Sequence, residues 1–570
     1  MALFRRRPPT PAAPPAEPAG LLEERNRETG RMLAYHERTK HSYATVMNSG
    51  WSLDWDNQPN PFRRYDGAPR LVLPEARLAP ELLPLRATGE VLRELGAPPP
   101  AGDWSGDGAA LLSALLWHSL AVSAWKQVPD SDVRYSLRVN PSSGNLHPTE
   151  AHLLTLGLRG VPDAAWHYDA RHHALERRRD GPAAEALAAA CGLPAGGRGA
   201  LLVLSSIFWR EAWKYRDRAY RYCLHDAGHA AGCLAAAARA LGLPCELRLH
   251  FPDRAVEDVL GLRDSDERPL VVLDLRAGRR EPEPSRAAEW LAALSPPAGT
   301  ANRLSEEVLE WPLIDGIHAS TLVEGGECPL VAEEGDPLAL TPRGGNAAPD
   351  GERVLVELPE TPPAAEPFAR AARRRRSALD YQPEARMSLP DFAGLLREAC
   401  TLPRSDALAS LAGGAPRRLI ELYAYVHRVD GLQPGCWRYL PERHALLLVA
   451  AGDVRNVAAG LSLGQELAGH AVAAFSLVAD LQRAGEAFGN RGYRHAHVEA
   501  GLCGQGLYLA ATARGWDATG IGAFFDGDVQ RWLGLRGPAR QVVYHHSIGR
   551  ASLDPRLVDS DEAVDVRDPA

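Results

Sequence analysis

Several short segments of the 570-residue chain carry side chains that could do chemistry. Lys214-Tyr215 sets a proton acceptor beside a donor, provided the surroundings lower their pKa values. Arg375-Arg376-Ser377 offers guanidinium forks and a hydroxyl, a set suited to a phosphate monoester; the run Arg373 to Arg376 also reads as a solvated basic turn. Pro141-Ser142-Ser143-Gly144-Asn145 combines small residues, which let a ligand approach the backbone, with hydroxyls and an amide that can bond it. A plain Ser/Gly turn before a strand has the same composition. Gly520-Ile521-Gly522-Ala523-Phe524 is Gly-rich but is no dinucleotide fingerprint, because Phe525 stands where a third Gly would be. His225-Asp226-Ala227-Gly228-His229 spaces two His as a zinc helix does, with an acid beside the first. Asp is shorter than the general base of that chemistry and no third ligand is evident, so no metal is expected.

The elements that position these residues come in two copies. Trp166-His167-Tyr168 with His173-Ala174-Leu175 recurs as Trp437-Arg438-Tyr439 with His444-Ala445-Leu446. Arg218-Ala219-Tyr220-Arg221 with Asp226-Ala227-Gly228 recurs as Arg491-Gly492-Tyr493-Arg494 with Glu499-Ala500-Gly501. Leu241-Gly242-Leu243, Asp253, Val256 and Leu260-Gly261-Leu262 match Arg514-Gly515-Trp516, Asp526, Val529 and Leu533-Gly534-Leu535. Three blocks in one order, sharing Trp, Tyr and His, mark a duplication and not merely similar Ala/Leu helices. Each copy reads as a helix (109–125; 389–399), a strand (151–158; 419–428), a hairpin (166–176; 437–449), a long Ala/Leu helix (218–241; 491–514) ending at Gly242 or Gly515, and a closing strand (270–275; 541–547). Strands mixed with long helices, without regular βαβ alternation, give an α+β class.

Residues 1–30 form a Pro/Ala-rich tail, expected to be disordered and lacking the apolar core of a secretory signal. The first unit with its leader spans 31–278, a Pro/Gly/Glu-rich connector 279–369, the second unit 370–552 and an acidic tail 553–570. A structureless connector of that length would be unusual, so an arm packing across both halves is expected, with 311–315 and 354–358 ordered. A net charge of −8 argues against nucleic acid as a partner. The longest uncharged stretch, 109–125, is short for a membrane span and reads as a core helix. Eight cysteines without a C-x-x-C pair suit buried thiols in a reducing compartment, and the cytoplasm is the expected location.

With these residues in place, the chain resembles the nitroreductase superfamily, and within it the SagB/ThcOx-type dehydrogenases. The resemblance covers both copies, about residues 100–276 and 370–550, and includes the leader from Tyr35-His36-Glu37-Arg38-Thr39-Lys40 through Leu71-Val72-Leu73-Pro74. It implies FMN at the interface of two nitroreductase-like α/β sandwich units, here an intramolecular pseudo-dimer. Arg375-Arg376-Ser377 resembles the family's phosphate motif, with Leu379 where a further basic residue is common. Residues 138–150 around Pro141, Ser142, Ser143 and Asn145 resemble its P-S-[SA]-G loop, which reaches the flavin from the other subunit. Lys214-Tyr215 resembles the catalytic K-Y pair. Glu499 and Gly501 resemble the helix start facing flavin N5, and Gly520 and Gly522 the late loop beside the flavin; Arg550 could also reach the phosphate.

The copies differ in what they keep. The second has the phosphate motif and the late loop; in its other places stand Ala412-Gly413-Gly414-Ala415-Pro416 and Ala487-Phe488. The first has the P-S-S-G loop and Lys214-Tyr215, with Leu247-Arg248-Leu249-His250-Phe251 at the late loop. One composite site and one FMN per chain follow, the mirror site being degraded. The resemblance implies dehydrogenation of an azoline in a ribosomally made peptide to the azole, dioxygen reoxidising the flavin, with a cyclodehydratase as the associated partner. An NAD(P)H-dependent nitroreductase acting on a small molecule, and a non-catalytic flavin-binding or scaffold subunit, are the alternatives.

Overall fold

Each copy builds one seven-stranded antiparallel sheet, and the two sheets have the same strand order. The computed structural model describes residues 20–48, 50, 52–74, 86–100, 102–131, 133–325, 354–407, 418–552 and 554–559. From edge to edge the first sheet runs Glu246–Arg248, Glu267–Asp274, Gly199–Ile207, Thr149–Leu156, Ala164–Asp169, Ala174–Asp180, Arg70–Val72. The second runs Asp517–Ile521, Arg540–Gly549, Ala473–Asp480, Ile420–Val426, Gly435–Leu440, Ala445–Ala451, Leu355–Glu357. This is the α+β pseudo-dimer expected from the repeat. Gly199–Ile207 and Ala473–Asp480 lie mid-sheet yet escape the sequence reading. Residues 199–207 are buried throughout, and so lack the period-two signal of a half-exposed strand.

The two long helices, Ala219–Ala240 and Arg491–Ala513, pack on each other between the sheets. Every residue of the second is buried, which explains an Ala-rich sequence without a polar face. Their backbones meet at Gly228 and Gly501: a side chain at Gly228 would run into the Val498 carbonyl, and one at Gly501 into that of His225. Both helices end alike. Leu243 N–H bonds Ala238 O and Gly242 N–H bonds Arg239 O; Trp516 bonds Ala511 O and Gly515 bonds Thr512 O. With φ near +71° at Gly242 and +74° at Gly515, these are paired Schellman motifs.

The interface repeats one buried ion cluster twice. Arg218 and Arg221 meet Asp526 at 2.8 Å each, and Arg491 and Arg494 meet Asp253 at 2.6 and 2.7 Å. Each cluster joins the halves, because the Arg pair and the Asp come from different copies. Each is also closed by a threonine after a short helix: Thr39, following Gly30–Arg38, accepts from Arg221 Nε at 3.0 Å, and Thr321, following Pro312–Ser320, accepts from Arg494 Nε at 2.6 Å. His36 and His318 precede these threonines by the same spacing. The connector therefore carries the second copy's own leader helix and, in Leu355–Glu357, its edge strand, which pairs with Ala445–Ala451 as Arg70–Val72 pairs with Ala174–Asp180.

Three expectations are corrected. The helix of 109–125 stops at Trp117, where the His118 imidazole and the Ser119 hydroxyl fold back onto the Ala114 and Leu115 carbonyls at 2.8 and 2.6 Å. Val122–Gln127 is instead a strand, paired with Arg134–Arg138 and with Leu557–Asp559. Residues 557–559 thus belong to a sheet and not to a tail. Residues 21–27, read as disordered, form a helix whose Asn26 amide donates to Phe488 O at 3.0 Å. The Gly413–Pro416 stretch of the second copy and most of the Gly325–Gly351 patch lie outside the described residues. No described helix is long and apolar enough to cross a membrane.

Buried imidazoles set the acid response of this fold. Burial pushes His118 down to about 4, and His41, His229, His497 and His545 down to about 3. A folded-state pKa below the ordinary 6.5 contributes stability that is present above that value and is lost as pH falls through the folded pKa. Asp226 and Glu499, raised by burial to about 7, act oppositely between their ordinary range and 7. The five histidines outnumber these two acids. At roughly 1.4 kcal/mol per group per pH unit, several kcal/mol should be lost per unit below about pH 6.5. Urea unfolding midpoints between pH 7.5 and 5.5 measure this; a flat profile would contradict it.

Candidate functional site

A cavity of about 470 Å³ lies between the halves, in the range usual for cofactor and small-ligand sites. The first half contributes Arg138, the Pro141–Asn145 loop, Tyr215, Tyr222, Asp226 and His229. The second contributes Arg375, Arg376, Ser377, Tyr508, the Gly520–Ala523 loop and Tyr544. Segments more than 200 residues apart are thereby brought to one wall.

Arg375 follows the short helix Phe368–Arg374 and crosses into the first half, donating from Nε to Val139 O at 2.8 Å and from Nη2 to Arg138 O at 3.1 Å. Its guanidinium lies 4.9 Å from the centre of the Tyr508 ring. Its Nη1 is buried with no hydrogen-bond partner. A buried cationic N–H left unpaired is costly, and an anion in the cavity would satisfy it. Arg376 spends donors on Arg373 O, Arg375 O and Ser123 O, at 2.7, 2.7 and 3.0 Å. The Ser377 and Tyr508 hydroxyls are 2.8 Å apart, and Tyr508 in turn accepts the Gly520 N–H at 2.8 Å, tying phosphate motif to late loop. Gly522 O accepts from Tyr222 at 3.0 Å and from Arg218 at 3.2 Å.

The Pro141–Asn145 loop is braced by the protein itself. Ser143 donates its N–H to both Asp226 oxygens at 3.1 Å and its hydroxyl to Oδ1 at 3.0 Å. The Ser142 hydroxyl accepts from His147 N at 2.8 Å, and the Asn145 amide donates to Ser136 O at 2.9 Å. These polar groups, expected to bond a ligand, hold the loop in place. Tyr215 lines the cavity with its hydroxyl against Gly144, edge-on to Tyr222 at 4.6 Å. Burial pushes its phenol well above the usual range, so the group keeps its proton at neutral pH and is not a ready base. Lys214 is half-buried, outside the cavity wall, with Nζ 5.4 Å from the Tyr215 ring centre.

Besides Lys214, three expected site residues are not in this wall. Glu499 accepts from Leu419 N at 3.0 Å and Ile420 N at 3.1 Å, inside the second half. Gly501 sits at the helix crossing against Gly228. Arg550 is exposed, its guanidinium 5.0 Å from the Trp516 ring centre. The reason is geometric. Asp226 and Glu499 occupy equivalent repeat positions, each anchoring the backbone ahead of its own half's strand, and the cavity borders the first half's version. Asp226 was missed as a cavity residue, although its register with Glu499 was legible. The zinc spacing dissolves as well: His225 stacks on Tyr544 at 4.4 Å, while His229 bonds the Tyr544 hydroxyl at 3.0 Å and Gln505 at 3.2 Å. Among the described residues, no group of three His, Cys, Asp or Glu could hold a metal.

The mirror position is plugged. Leu247 N–H bonds Arg404 O at 3.0 Å, and the Asp406 carboxylate accepts from Leu249 N at 2.8 Å and His250 N at 3.1 Å. These amides match Gly522 and Ala523 of the late loop, so an internal carboxylate stands where the other half opens to the cavity. Beside Ala487-Phe488 a cavity of about 820 Å³ lies under the helix Leu21–Arg27; it contains no residue of the phosphate motif or the P-S-S-G loop.

Two fused α+β sandwiches with a cavity lined by both make this chain an intramolecular pseudo-dimer. The sequence profile of the Nitroreductase family matches residues 109–275 and 372–550, and the chain belongs to that family of flavin oxidoreductases. The Methanocaldococcus jannaschii protein named "Putative nitroreductase MJ1384" is 26% identical over 163 residues, 29% of this chain and 82% of its own length. A crystal structure from Anabaena variabilis under a similar description aligns with 92% of this chain and 99% of its own, at 24% identity and a TM-score of 0.67. The fold is thus shared over both halves, fused unit included.

Proposed function

We propose that this chain is an FMN-dependent dehydrogenase that oxidises azolines in a ribosomally made peptide to azoles, with one FMN in the composite cavity. The observation that carries the reading is the spare Arg375 Nη1 in a wall built from both halves. Arg375 would hold the phosphate, with Ser377 beside it and the Gly520–Ala523 and Pro141–Asn145 loops along the cofactor. The chemistry FMN supplies when bound is two-electron redox chemistry. Tyr215 holds a proton at its phenol oxygen inside the cavity, and Lys214 is placed to tune it from outside the wall. The azoline substrate, and a cyclodehydratase as the enzyme that makes it, follow from the resemblance of Lys214-Tyr215 and the leader to SagB/ThcOx-type enzymes.

The plugged mirror position supports one FMN per chain; absorbance against protein concentration measures it, and a ratio of two would sink the single-site claim. Asp406→Ala should leave that ratio unchanged. With an azoline-containing peptide, wild-type protein should form the azole, read as loss of hydrogen by mass and bleaching of the flavin band. Tyr215→Phe should cut that rate by about 10²–10⁴-fold with FMN retained, the usual scale for a lost proton-transfer group. Bleaching by NADPH but not by the peptide would favour the nitroreductase alternative, and colourless protein the scaffold alternative.

A further inference from the structure

A hydrogen-bonded chain of side chains runs from the helix crossing to the cavity wall. His229, on the first long helix, meets Gln505 Oε1 on the second through Nδ1 at 3.2 Å, and the Tyr544 hydroxyl through Nε2 at 3.0 Å. His229 and Tyr544 both line the cavity. Glycines make the room for them. A Cβ at Gly504 would lie 2.8 Å from His229 Cε1 and 3.0 Å from Tyr544 Cε1, one at Gly232 would lie 3.0 Å from Gln505 Cβ, and one at Gly520 would overlap the Tyr544 hydroxyl. The fold does not need this chain, because the mirror half lacks every member of it. Leu502 stands at the equivalent of His229 and Gly232 at that of Gln505, 273 positions away in each case. Val271 stands at that of Tyr544: each pairs at the same sheet bulge, Val271 with Leu204 and Tyr544 with Leu477.

The donor and acceptor inventory fixes the direction of these bonds. A carbonyl oxygen only accepts, so Gln505 Oε1 keeps the proton of His229 on Nδ1. Nε2 of the neutral ring is then an acceptor, and the Tyr544 O–H donates to it. The ring stays neutral, since burial, with the Arg375 charge nearby, pushes its pKa down to about 3. Tyr544 cannot turn its proton outward without losing a buried bond, so it shows the cavity only oxygen lone pairs. Resting on the flavin reading above, we infer that Tyr544 is a cofactor-binding residue whose phenol oxygen accepts a hydrogen bond from the bound flavin, and that His229 and Gln505 are positioning residues that fix this polarity. FMN offers donors of two kinds, the imide N–H of its ring and the ribityl hydroxyls. A ligand group that only accepts would meet lone pairs here and be rejected.

The test uses full-length protein stripped of flavin. Nitrogen-15 NMR of labelled histidines reads the tautomer, with His229→Gln assigning the signal. Wild-type His229 should be a neutral Nδ1–H ring, and Gln505→Leu, without the carbonyl, should lose that preference. A wild-type Nε2–H ring would overturn the polarity. FMN titrated back and read by fluorescence should bind Tyr544→Phe about 5- to 150-fold more weakly, the scale for a buried polar group left unpaired. Phe keeps the ring that stacks on His225, so the wall persists. Gln505→Leu should show a smaller loss in the same direction. FMN methylated at the imide nitrogen separates the donors. If the imide is the partner, wild type and Tyr544→Phe should bind this analogue alike; if a ribityl hydroxyl is, the difference between them should persist. Equal affinity of wild type and Tyr544→Phe for FMN itself would overturn the proposal. Wild-type protein that takes up no FMN yet keeps the Nδ1–H ring would reject the flavin reading alone and leave the acceptor for another donor ligand.

Discussion

Arg375→Ala should purify as a folded protein largely free of flavin. Arg375 is buried, bonded to two first-half carbonyls, and left with an unpartnered Nη1 at the cavity. Removing one member of a buried, hydrogen-bonded charge pair costs about 2–5 kcal/mol, which is roughly 30- to several-thousand-fold in Kd. Flavin fluorescence titration of protein stripped and reloaded with FMN measures it. Arg375→Lys should be intermediate, since an ammonium keeps the charge but not the planar fork. Arg376→Ala should cost less, because three of its bonds go to carbonyl groups of the chain. Stoichiometric FMN in Arg375→Ala would place the phosphate elsewhere.

The second large effect is on stability, and the duplication supplies its own control. Asp526→Ala strands Arg218 and Arg221, and Asp253→Ala strands Arg491 and Arg494, all buried to 3% exposure or less. Breaking a buried pair from one side costs about 3–5 kcal/mol, because an uncompensated charge is left in the interior. Both variants should lower the urea midpoint by similar amounts. They should differ at the site: Arg218 also bonds Gly522 O and Tyr222, which line the cavity, whereas Arg491 and Arg494 bond Thr321 in the plugged half. Weakened FMN binding is therefore expected in Asp526→Ala alone. Equal loss of FMN in both would mean that the clusters act only through global stability.

Much of this architecture was legible along the chain. The paired Trp-x-Tyr hairpins, Arg-x-x-Arg helix starts and terminal glycines announce a duplication, since each carries a local instruction: a strand pair, a buried cation pair, a left-handed stop. Local signals also placed the P-S-S-G loop in one copy and the R-R-S motif in the other. The mid-sheet strands were missed because burial on both faces erases alternation. The second leader was missed because its match to the first is reduced to His318 and Thr321, whose common role emerges only when both threonines close an Arg–Asp cluster.

Sequence by itself therefore determined that there are two copies, which motifs each retains, and that neither copy holds a full set. Tertiary structure decided that Asp226 and not Glu499 reaches the cavity, that Arg375 keeps a free N–H while Arg376 is engaged, that Tyr215 faces the composite wall with Lys214 behind it, and that Asp406 fills the mirror position. The physical reason is the same throughout. Motif types follow from neighbours in the chain, but which equivalent residue faces an opening depends on how two helices cross at Gly228 and Gly501, a contact between residues 273 positions apart.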